Sequence, residues 1–119
     1  MDLAGKLQLK TGQSMAVVAQ PESVSLEFGS DHSLADAADQ ADGVLVFCHA
    51  REDLERLSDQ FVAPAKRDTL TWVAYPKAGK LGTDLNRDIL ADLVKAHGVQ
   101  PVRQVALDDT WSALRLRPA

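Results

Sequence analysis

The stretch Gly43-Val44-Leu45-Val46-Phe47-Cys48-His49-Ala50-Arg51-Glu52-Asp53-Leu54-Glu55-Arg56-Leu57 decides the fold. Its first six residues carry no charged or amide side chain. A continuous apolar run of that length marks a strand covered on both faces rather than one half-exposed. Glu52 and Asp53 then suit the positive end of a helix dipole, and Leu54, Leu57 and Phe61 recur at helical spacing up to Pro64. Thr69–Tyr75 is β-branched and aromatic, which predicts a second strand closed by Pro76. A second helix is expected from Thr83-Asp84, burying Leu85, Ile89 and Leu93 and stopping at Gly98 in the left-handed region. Val102–Leu107 and Trp111–Leu116 read as strands of a hairpin around Asp108-Asp109-Thr110, residues whose side chains favour turns.

The alternation of strand and helix from 43 to 107 predicts a parallel sheet with right-handed crossovers, closed by Trp111–Leu116 as an antiparallel edge strand. Toward the N-terminus, Met15–Ala19 reads as a buried strand. Val24–Phe28 alternates like a half-buried one and stops at Gly29. Ser33-Leu34-Ala35-Asp36 has the spacing of a capping box and predicts a short helix ending near Gln40. The expected architecture is α/β: a single three-layer Rossmann-like domain over residues 1–119, its sheet mostly parallel with a C-terminal antiparallel hairpin. Trp72 is expected between the sheet and a helix, and Trp111 in the core at the start of the last strand.

The chain has 119 residues, 45% hydrophobic and 25% charged, with net charge −4, which fits one globular domain. No segment approaches the roughly 20 apolar residues of a membrane span, and the first residues lack a secretory pattern. The single cysteine, Cys48, has no intrachain partner, so a cytoplasmic, reducing location is expected. Residues 1–42 hold seven acids against two bases. An acidic chain without a basic stripe is repelled by phosphate backbones, so neither nucleic acid nor membrane is an expected partner.

Several residues resemble a small bacterial family of unknown function, domain-of-unknown-function family 3052. These are Lys6-Leu7, Lys10 and Gly12 ahead of Met15; Pro21-Glu22; Trp72-Val73 with Tyr75-Pro76-Lys77; Thr83-Asp84-Leu85; and Asp108-Asp109-Thr110-Trp111-Ser112 with Leu114-Arg115. The element order also resembles the C-terminal half of class I methyltransferases, whose sheet likewise ends in an antiparallel strand. The resemblance implies a Rossmann-like fold and brings no activity with it. Between Pro21 and Asp31 the chain is shorter than the family pattern, which has a helix there.

A nucleotide-binding turn after the first strand needs glycines for close backbone approach. Here Ala19-Gln20-Pro21-Glu22 stands in that place and Pro21 lacks an N–H, so no cofactor is expected. Glu22 reads as a turn residue, with a ribose contact as its other role. Tyr75-Pro76-Lys77-Ala78-Gly79-Lys80-Leu81-Gly82-Thr83-Asp84 leaves the carboxyl end of a central strand, where open α/β sheets place ligands. Its lysines, its glycines and the helix start that follows suit a phosphate or carboxylate. The candidate anion site is Lys77, Lys80, Gly82, Thr83 and Asp109, with Thr83 or Asp84 capping the helix; a solvated loop is the other reading. Cys48 and His49 are strand neighbours pointing to opposite faces, so they form no nucleophile–base pair. No catalytic residue and no metal ligand set is assigned. The expected function is a non-catalytic methyltransferase-like module binding a protein or a small anionic ligand, as a monomer or weak homodimer. The alternative is an enzyme acting on a small phosphorylated or carboxylated metabolite, with Lys77 as clamp and Asp109 as base.

Overall fold

The computed structural model describes residues 3–22, 24, 33–35, 41–77 and 79–119. The elements are α1 (Leu3–Lys6), β1 (Ser14–Val18), β2 (Ser33–Ala35), β3 (Gly43–Phe47), α2 (Arg51–Arg56), α3 (Ser58–Lys66), β4 (Leu70–Pro76), α4 (Arg87–Lys95), β5 (Val99–Ala106) and β6 (Trp111–Pro118). They build one sheet in the order β2-β1-β3-β4-β6-β5. The apolar run lies where its pattern demands: all five residues of β3 are buried, between β1 and β4.

The sheet is mixed rather than mostly parallel. β2, β1, β3 and β4 pair in parallel, but the antiparallel ladders β4–β6 and β6–β5 are the longest. The expected edge is also corrected. β6 inserts between β4 and β5, so its backbone is paired on both sides, and among the described strands β5 is the edge on this side with β2 at the other. Pro101 and a register shift between Pro101 and Arg103 interrupt that edge, a common protection of an exposed strand.

Ser33–Ala35 is a strand parallel to β1, not the start of a helix. The expected end of that helix lies outside the described residues, as does most of the expected strand Val24–Phe28. Val24 itself is buried. The helix expected up to Pro64 is two helices that meet at Leu57, and the second continues past the proline to Lys66.

The helices α2, α3 and α4 cover one face of the sheet. There Leu54, Phe61, Leu90 and Val94 pack on Val44, Val46, Val73, Leu114 and Leu116. On the other face the described cover is the N-terminal segment rather than a helical layer: Leu7 and Leu9 lie over Met15, Leu45, Trp72 and Ala113. Among the described residues Trp72 therefore faces that segment rather than α2, α3 or α4, and its indole Nε1 donates to the Leu7 carbonyl at 2.9 Å. Trp111 meets Phe47 edge to face, with ring centroids 5.2 Å apart. Lys6 Nζ donates to the Ala106 carbonyl, and Arg115 Nη1 to Gln8 Oε1 at 2.6 Å, so the segment is tied to the C-terminal hairpin.

Helix α4 begins later than its sequence suggests. Asn86 is its N-cap, accepting from Ile89 N at 2.9 Å. Gly98 follows the helix with φ +87°, as a left-handed stop requires. Asn86→Ala is expected to cost about 1 kcal/mol, seen as a lower urea midpoint at unchanged slope. An unmoved midpoint would show that the cap adds nothing.

Candidate functional site

Four elements converge at the carboxyl edge of β4. Tyr75 and Lys77 lie at the end of that strand, Ser112 stands opposite Tyr75 on β6, Gln104 comes from the far end of β5, and Asn86, Arg87 and Asp88 form the start of α4. Together they enclose a cleft of about 240 Å³. Its floor is formed by two buried polar residues: Tyr75 is 2% exposed and Ser112 is 5% exposed. Gln104 Nε2 donates to Tyr75 Oη at 2.9 Å, which leaves the phenolic proton to be donated elsewhere. Burial pushes the Tyr75 phenol above its ordinary range, so it stays protonated at neutral pH, although Arg87 and Gln104 oppose the shift.

The Ser112 hydroxyl and the Lys77 ammonium have no side-chain partner among the described residues. Asn86 spends its amide oxygen on the cap, which leaves its NH2 group. The N–H groups of Arg87 and Asp88 are among those that helix geometry leaves unpaired. The cleft thus offers mainly donors. Asp88 is the one carboxylate lining it, and Arg87 Nε meets it at 3.3 Å.

Of the five expected anion-site residues, the structure brings only Lys77 into this cleft. Lys80 and Gly82 form an exposed 3-10 turn. Thr83 Oγ1 donates to the His49 carbonyl at 2.6 Å and accepts from Leu85 N, so it pins a loop. Asp84 caps neither itself nor α4; its Oδ1 accepts from Arg51 N at the start of α2. Asp109 is exposed outside the cleft, while Asp108 Oδ1 takes the N–H groups of Thr110 and Trp111 and shapes the hairpin. Tyr75, Gln104 and Ser112 were not legible as site residues, because only the β4–β6–β5 pairing gathers them.

After β1 the chain turns through Ala19, a non-glycine at φ +59°, and Pro21, whose carbonyl accepts from Val24 N. Glu22 lies exposed in that turn. Cys48 is fully buried among the helices, and His49 Nε2 donates to the Leu81 carbonyl at 2.6 Å, so the two form no pair. Among the described residues no three His, Cys, Asp or Glu side chains gather into a metal-holding group. No described helix is long and apolar enough to cross a membrane. At the opposite edge of the sheet a wider hollow of about 580 Å³ holds Lys10, Asp42, Asp68 and Arg115. Asp42 there accepts from Ser14 N and Asp68 holds Arg117 through two bonds, while Arg115 reaches the neutral Gln8 and its buried Nε has no partner among the described residues.

No curated protein matches the chain. Among solved structures, the chain resembles a crystal structure titled as a protein in the NADB-Rossmann superfamily from Streptococcus agalactiae. The TM-score is 0.53 at 10% identity, covering 100% of this chain and 70% of that one. A likeness at that identity bears on the fold alone, and it agrees with a Rossmann-like α/β sheet. Residues 19–119 match the family described as "Protein of unknown function (DUF3052)", and the chain is a member of that family.

Proposed function

We propose that the protein is a non-catalytic binding module on a methyltransferase-like scaffold, cytoplasmic and bacterial, that holds a small anionic ligand at the carboxyl end of β4. The observation that carries this reading is the Lys77 ammonium at a cleft lined by the Ser112 hydroxyl, neither of which has a side-chain partner among the described residues. A charged donor beside hydroxyl, amide and helix N–H donors favours an anion, since hydrogen bonds to a charged partner are the strong ones. The antiparallel last strand supports the methyltransferase-like part of the reading. Ala19 and Pro21 in place of a glycine turn argue against adenosylmethionine. The enzyme alternative is weaker, because its base, Asp109, does not line the cleft. The module acts as a monomer or weak homodimer, in keeping with the interruption of the β5 edge at Pro101.

Calorimetric titration with inorganic phosphate and with malonate tests this. Lys77→Ala is expected to weaken the better-bound anion roughly 10- to 100-fold, the loss of one charged hydrogen bond, with the melting temperature nearly unchanged. Equal affinity in the variant would overturn the site. Micromolar heats with adenosylmethionine would overturn the degenerate-turn reading.

A further inference from the structure

The anion cleft has a neighbour. A second hollow of about 260 Å³ lies between α4 and the edge strand, and it shares Arg87, Asp88 and Gln104 with the first. Its remaining lining is Ala91, Pro101, Arg103 and Leu114. Either hollow alone falls below the roughly 300 Å³ at which small-molecule pockets begin, whereas the two joined exceed it. Gln104, exposed and bonded through its side chain to Tyr75 Oη, lines both hollows and so stands on the wall they share.

The two lobes differ in chemistry. The first presents the Lys77 ammonium, the Ser112 and Tyr75 hydroxyls and the Asn86 amide, a set of donors matching the three terminal oxygens of a phosphate better than the two of a carboxylate. The second is lined by apolar Ala91, Pro101 and Leu114 together with Arg103, a set that suits the face of an aromatic ring. We propose that the ligand is a phosphate monoester of a small aromatic group, its phosphate at Lys77 and Ser112 and its ring between α4 and β5 against Ala91, Pro101 and Arg103. This inference rests on the anion-cleft reading and adds the second lobe to it.

The test compares inorganic phosphate with phenyl phosphate by calorimetry. Phenyl phosphate is expected to bind at least about tenfold more tightly, the gain from burying one ring beside a cation. Ala91→Leu fills the second lobe and is expected to abolish the difference between the two probes. Arg103→Ala, at an exposed position, is expected to reduce it several-fold and serves if Ala91→Leu lowers the melting temperature. Equal affinity of both probes for the unaltered protein, or a difference that survives both substitutions, overturns the second lobe while the anion cleft stands. Lack of any Lys77-dependent binding of either probe overturns both.

Discussion

Trp72→Ala is expected to remove about 3–5 kcal/mol of stability, a large part of what a small domain possesses. The ring is fully buried, and it fills the space between the sheet and the N-terminal segment. Its loss leaves a cavity and also strands the Leu7 carbonyl, which now accepts from the indole at 2.9 Å. Trp72→Phe separates the two contributions. It keeps most of the apolar contact and gives up the hydrogen bond, so a smaller loss is expected. Urea unfolding of both variants is the measurement. An alanine variant within about 1 kcal/mol of the parent would mean that the segment does not close over this face.

Cys48 is expected to resist alkylation in the folded protein by about a thousandfold relative to the unfolded chain at pH 8. Burial, reinforced by the nearby Asp53 carboxylate and only partly offset by Arg56, pushes its thiol from an ordinary 9.0 up to about 12. Since the thiolate is the reactive species, its population falls in proportion. The same shift links stability to pH. Below about pH 9 the thiol is protonated in both states and this group adds no pH dependence. Between about 9 and 12 the unfolded chain releases the proton and the folded one keeps it, so stability falls as pH rises, by up to about 4 kcal/mol in all. Urea midpoints at several alkaline pH values check the slope, and Cys48→Ala should flatten it. A native-state alkylation rate equal to that of a free thiol would show that the α2–β3 packing is open.

Much of the architecture was legible because its signals are local. The apolar run of β3 and the left-handed stop at Gly98 each depend on residues within one element. Failures came where a local signal was used by a distant partner. Thr83 and Asp84 have the chemistry of a cap, and they do hold backbone groups, but those of His49 and Arg51 more than thirty residues away. Ser33-Leu34-Ala35-Asp36 spells a capping box, yet pairing with β1 draws Ser33–Ala35 into the sheet. A hairpin around Asp108-Asp109-Thr110 reads the same whether its last strand ends the sheet or enters it. Lys77 was recognisable by following a central strand, whereas Ser112 and Gln104 look like ordinary strand residues until three strands align them.

The position of β6 has a bearing on how the protein is made. Synthesis delivers the chain from the N-terminus, so β4 and β5 are complete before residues 111–118 emerge, and neither is the other's neighbour in the finished sheet. Until then β5 lacks β6, the strand it pairs with. Lys6 and Gln8 wait for Ala106 and Arg115, about a hundred residues downstream. Such non-local closure slows folding and leaves strand edges open meanwhile. A ribosome-stalled chain lacking its last ten residues should therefore be readily cut by protease, even though most of its helices and strands have already been translated.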